Sequence, residues 1–154
     1  MARIVDRDAK RQKILEAASA CFAKEGYDAT SMEAVASAAG ISKGSLYDYF
    51  KNKEDLFFGV FEWFQQLVMV SAMARMGEHQ DARARIMAFA DADIGALLDH
   101  LELYPVSLEV WAAAAKPGTR PRFSGAMKNL YASYRAELAG LIQDAQAEGA
   151  IRDG

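Results

Sequence analysis

The sequence is poor in the residues that most often carry chemistry. It holds one cysteine, Cys21, and two histidines among 154 residues. A lone thiol forms no intrachain disulfide and cannot build a thiolate metal cluster. Each histidine has an acid two positions on, in His79-x-Asp81 and His100-x-Glu102, but side chains at that spacing point away from each other on a helix. No metal and no other cofactor is expected. There is also no Gly-x-Ser-x-Gly elbow and no glycine-rich phosphate loop, so an enzyme is a distant reading. No apolar run approaches the roughly 18 residues that cross a bilayer. The longest candidate, Leu56 to Met76, is interrupted by Glu62, Gln65 and Gln66. The charged opening, Met1 to Lys13, is unlike a signal peptide. These absences lead to the expectation of a cytoplasmic protein with no membrane partner. Internal repeats, low-complexity tracts and segments of strand period are missing as well.

What remains is enough to build a core. Hydrophobic residues make up 52% of the chain, and the mean hydropathy is close to zero, which excludes a disordered chain. The net charge is −3 and unevenly placed. Residues 1–55 hold nine Lys/Arg and nine Asp/Glu, whereas residues 56–154 hold nine and twelve, so the whole excess lies in the second part. Arg3, Arg7, Lys10, Arg11 and Lys13 crowd the start. That basic arm suits phosphate contact, or is simply a solvated helix start.

Periodicity predicts helices throughout. Ile14, Ala17, Ala18, Cys21 and Phe22 form one stripe of a helix over about Asp8 to Lys24, which Gly26 ends. Cys21 on that stripe reads as a buried, unreactive thiol. Thr30-Ser31-Met32-Glu33 has the form of a capping box, with Thr30 as the cap, opening a helix that buries Met32, Val35, Ala36 and Ala39. Gly40 supplies a left-handed cap, Ile41 plugs the turn, and Ser42 caps a second helix from Lys43 to about Phe50 that buries Leu46 and Phe50. Two short helices joined by a glycine turn make the helix-turn-helix pattern, whose second helix enters the DNA major groove.

The run from Ile14 to Phe57, ILEAASACFAKEGYDATSMEAVASAAGISKGSLYDYFKNKEDLF, resembles the DNA-binding domain of the tetracycline-repressor (TetR) family of bacterial regulators. Glycine after the first helix, the turn Ala-Gly-Ile-Ser, Leu-Tyr-x-Tyr-Phe and Asn-Lys-Glu-Asp-Leu follow family order. The resemblance implies an all-α protein: a three-helix DNA-reading head over residues 1–55 and a helical ligand-binding and dimerisation body over 56–154. It implies operator contact by Lys43, Gly44, Ser45, Tyr47, Asp48 and Tyr49, with Thr30 and Lys53 anchoring phosphates on either side. Lys43 can donate to guanine O6 and N7, and Asp48 is a specificity determinant through cytosine N4 or a surface partner of Lys51 or Lys43. Members usually carry two more helices after an ending like Ala147 to Gly154, so the body is expected to be incomplete.

Beyond the head, Asn52 can cap a long helix from Lys53 to about Met76. Further helices are expected over about Ala82 to Leu101, Val106 to Ala115 and Arg122 to Glu148, with a loop over Lys116 to Pro121. By resemblance, the body holds a pocket for a small apolar or amphipathic effector. Trp63, Phe89, His100, Trp111, Met127, Tyr131 and Arg135 are candidates for its wall, although aromatics and methionines at helical spacing are more often plain core. The resulting expectation is a repressor that binds a palindromic operator as a homodimer and is released by ligand. The alternative is a helical ligand-binding or protein-interaction module without operator binding.

Overall fold

The computed structural model describes residues 2–99, 101–115 and 121–152, and among them every regular element is helical. The order is α1 (Ala2–Ala29), α2 (Met32–Ala39), α3 (Lys43–Tyr47), α4 (Lys53–Gly77), α5 (Ala82–Asp99), a 3-10 turn (Leu101–Leu103), α6 (Tyr104–Ala114) and α7 (Pro121–Ala147). The chain packs into two compact units: residues 1–64 with 101–112, and residues 65–100 with 113–154. The first unit therefore reaches beyond residue 55 and recruits α6.

The first unit closes around aromatic rings. Ile14, Leu15, Ala18 and Phe22 of α1 are buried, as are Leu56, Phe57, Val60, Phe61 and Phe64 of α4. Phe57 meets Phe22 edge-on at 5.0 Å between ring centroids and Tyr27 at 4.9 Å. Such edge contacts add about 0.5–1.5 kcal/mol each beyond area burial. The helical backbone breaks at Gly26, where φ is 77° and ψ 169°, a combination open almost only to glycine. The turn after it is held from two sides. The Tyr27 N–H donates to Glu109 Oε1 of α6 at 3.2 Å. Lys53 Nζ donates to the carbonyls of Tyr27 and Asp28 at 2.7 and 3.0 Å and lies over the Tyr27 ring.

By length and mean hydropathy alone α4 would cross a membrane, the polar interruptions at Glu62, Gln65 and Gln66 notwithstanding; half of its most apolar window is buried against other helices. Asn52 caps it as expected, with Oδ1 accepting from the Asp55 N–H at 2.8 Å while Asp55 Oδ2 accepts from the Lys51 N–H. Gly59 lets α4 come close: a Cβ there would sit 2.8 Å from the Phe50 ring and 3.2 Å from Leu15 Cδ2.

In the second unit Ala72, Met76, Ala88, Phe89, Ala92 and Leu141 form the core, with Ile86 and Tyr134 against it. Arg85 reaches Asp144 at 3.1 Å and Glu148 at 3.3 Å, and Glu148 Oε2 accepts from the Ala82 N–H, tying the start of α5 to the end of α7. Gly149, at φ 71°, ends α7.

Several expectations shift here. The helix expected to reach Leu101 stops at Asp99, and α6 begins at Tyr104, with Pro105 in its first turn where a missing N–H costs nothing. The apolar residues of α7 divide between inside and outside: Met127 and Leu141 are buried, while Tyr131, Leu138 and Ile142 are exposed. On α5, Ile94 and Leu98 are likewise exposed. Lys116 to Arg120 of the expected loop lie outside the described residues.

Candidate nucleic-acid interface

The head is built by caps. Ser31, in an extended conformation, caps α2 through an Oγ that accepts from the Ala34 N–H. Gly40 turns left-handed at φ 67°, with its N–H directed to the Ala36 and Ser37 carbonyls, and the Ile41 N–H returns to Ala36 at 3.0 Å. Ser42 caps α3 by accepting from the Ser45 N–H at 3.1 Å. Helix α3 is one turn shorter than periodicity predicts. It ends at Tyr47, and Asp48 to Phe50 continue as a turn closed by Tyr49 and Phe50 N–H donation to Leu46.

Leu46 and Phe50 are buried, which turns the opposite side outward. Lys43, Gly44, Tyr47 and Asp48 are all exposed, and Ser45 and Tyr49 are half-buried. Nothing lies within 4 Å of where a Gly44 Cβ would stand, so the backbone there is open to close approach. Tyr47, 43% exposed, is the one large apolar side chain of residues 6–64 left open to this degree.

Three contacts around this face were beyond the reach of periodicity. Lys43 Nζ pairs with Glu33 Oε1 on α2. The hydrogen bond from Lys43 is the main cause holding the Glu33 carboxyl below its usual range, and its counterpart raises Lys43. The Arg7 guanidinium lies over the Tyr49 ring at 5.8 Å, and that of Arg11 over Phe50 at 5.4 Å. The basic arm is thus partly folded onto the end of the reading segment. Of the two cations weighed as partners for Asp48, Lys43 is engaged by Glu33.

Two anchors depart from expectation. Thr30 is 1% exposed, and its Oγ1 donates to the Gly26 carbonyl at 2.7 Å, with the Cys21 carbonyl at 3.2 Å. Its hydroxyl fastens the end of α1 rather than capping α2 or facing solvent, because Ser31 beside it takes the cap. Lys53 spends its ammonium on the Tyr27 and Asp28 carbonyls.

Of the residues named for a pocket, Phe89, Tyr131 and Arg135 line one cleft of about 520 Å³, together with Lys128, Ala132, Tyr134 and Leu138. Met127 is buried nearby in sequence, in the second unit. Trp63 and Trp111 belong to the first unit, the latter exposed, so they do not join that cleft. His100 lies outside the described residues. Cys21 is half-buried, and its thiol is pushed up chiefly by burial and then by Glu25.

Residues 14–60 match the model of the bacterial regulatory proteins of the tetR family. A stretch of 147 residues is 26% identical to the HTH-type transcriptional regulator YhgD of Bacillus subtilis, spanning 93% of this chain and 72% of that protein. A stretch of 76 residues is 38% identical to the HTH-type transcriptional repressor KstR of Rhodococcus jostii, or 49% of this chain and 30% of KstR. Among solved structures, a TetR-family regulator from Mesorhizobium loti superposes with a TM-score of 0.73 at 27% identity, covering 96% of this chain and 73% of that one. The helix-turn-helix head with capped α2 and α3 belongs, over residues 14–60, to the tetR family of bacterial regulatory proteins, and the helical body that follows it shares the fold of a TetR-family transcriptional regulator.

Proposed function

We propose that the chain is a repressor whose head reads a palindromic operator, two copies acting together, and whose release follows binding of a small molecule to the body. The observation that carries the reading is the outward face of α3. Lys43, Gly44, Tyr47 and Asp48 stand exposed together, with Ser45 and Tyr49 at their edge and Leu46 beneath. An open backbone at Gly44 suits the floor of a groove. Lys43 donates to guanine, Asp48 accepts from cytosine N4, and the tyrosine hydroxyls meet phosphates. KstR, similar over 76 residues, is a repressor by name.

A two-fold partner is supported by apolar side chains left exposed on α7, Tyr131, Leu138 and Ile142. The cleft beside Phe89 supports an effector with an apolar body and an anionic end, since Lys128 and Arg135 line it with the aromatic rings. Such an effector shifts the population toward a state that holds the two heads wrongly for DNA. On this reading the protein works in the cytoplasm, where bacterial DNA lies.

That cleft also favours a second reading, a ligand-binding module without operator binding. Selection of random duplex DNA by the 154-residue chain separates the two. An enriched palindrome is expected. A lone half-site would retain the head and remove the dimer, and no enrichment at low salt would leave the module. Operator binding should also weaken with salt, at a log–log slope of about −0.9 per contacted phosphate.

A further inference from the structure

The ion pair between Glu33 and Lys43 joins the two helices of the head on the side that α3 turns outward. The two side chains are 54% and 58% exposed in the order Lys43, Glu33, so the pair adds little to stability. Its position matters more. A lysine on a reading face is a flexible point charge, as ready to meet any phosphate as any base. Glu33 fixes one of its three donors and leaves two. The carboxylate also cancels the local charge that would draw phosphate, and its second oxygen remains an acceptor. Neutral overall, the pair offers donors and an acceptor side by side. In the major groove, guanine presents O6 and N7 as acceptors and its cytosine partner presents N4–H₂ as a donor.

We infer that Glu33 is a specificity-determining residue of the head: it aims Lys43 at guanine, and the pair reads one G·C base pair in each half-site. This rests on the operator reading above, and it adds to the face of α3 a residue from α2 that helix spacing does not suggest.

The test compares the native chain with Glu33→Gln, Lys43→Met and the double variant. The probes are the duplex selected by the native chain, the same duplex with the G·C pair most sensitive to Lys43→Met changed to A·T, and a scrambled duplex of equal length. With Glu33→Gln, Lys43 is freed for phosphate. The salt slope on the scrambled duplex should then steepen by about 0.9 per head. Discrimination between G·C and A·T should fall roughly tenfold, within the worth of one good side-chain–base contact. The double variant should behave as Lys43→Met does. Thermal midpoints should stay together, which separates aiming from folding. Unchanged slope and discrimination in Glu33→Gln would overturn the assignment, as would an equal loss of affinity on all three duplexes. If the native chain selects no duplex, operator reading itself fails and this assignment with it; an indifferent Glu33 beside a selecting native chain removes only the assignment.

Discussion

The first 64 residues and the remainder of the chain treat their apolar side chains differently. In the first stretch Ile14, Leu15, Phe22, Val35, Leu46, Leu56, Phe57 and Val60 are essentially closed to solvent, and among the larger apolar groups of residues 6–64 only Tyr47 stands out. Beyond it, Phe123 and Val110 are the large side chains so fully enclosed among the described residues, while Val70, Met87, Ile94, Leu98, Leu108, Trp111 and Tyr131 are each more than half exposed. A segment that closes its own core specifies itself locally. One that leaves its apolar faces open depends on what comes against them, and burial there cannot be read from periodicity alone. The one conspicuous exception in the head, Tyr47, lies on the face assigned to DNA, where exposure is what the task requires.

The sharpest way to break the contrast is to delete one large apolar side chain from each side. Phe57→Ala removes a fully buried side chain that two other rings contact. Its cost should be about 3–5 kcal/mol, enough to unfold much of the head. Leu98→Ala, at a side chain 60% exposed, should stay within about 0.5 kcal/mol. Urea midpoints of the two variants measure the difference. Equal losses would mean that Leu98 is as enclosed in solution as Phe57.

A finer comparison uses glycines on two helices. Gly59→Ala brings a Cβ within 2.8 Å of the Phe50 ring, itself enclosed, and should cost about 1–3 kcal/mol by overpacking. Gly140→Ala on α7 meets nothing within 4 Å and should instead stabilise by up to about 1 kcal/mol through helix propensity. Opposite shifts in thermal midpoint are expected, and a loss at Gly140 would show that another surface approaches α7 there.

The head was legible because its signals are local. Gly40, Ser42 and Asn52 each act within four residues, and the alternation of buried and exposed positions on α3 follows from Leu46 and Phe50 alone. What stayed hidden was long-range or a choice between equals. Thr30 and Ser31 are both good caps, and only the Gly26 carbonyl, presented by the turn that ends α1, decides that Thr30 folds inward. Glu33 with Lys43, Arg7 with Tyr49 and Glu109 with the Tyr27 N–H join residues 10, 42 and 82 positions apart, which no helical spacing reveals. The pocket residues divided for the same reason: Phe89, Tyr131 and Arg135 meet through packing of α5 on α7, whereas Trp111 packs with the head's unit.

The smallest expected effect concerns Cys21, the one thiol, at the edge of the closed core. Burial, with help from Glu25, raises its pKa, and Lys24 opposes weakly. The reactive species is the thiolate, so alkylation of the folded chain near neutral pH should be slower than that of the urea-unfolded chain. The sign for stability follows. A thiol that resists ionisation when folded leaves stability unchanged at low pH, and some is lost as pH rises through the range of the unfolded thiol, about 8.5. Iodoacetamide labelling of native and unfolded chain across that range reads both. The native rate should lag and rise only at higher pH. Equal rates in the two states would place Cys21 outside the core that the rest of its helix closes.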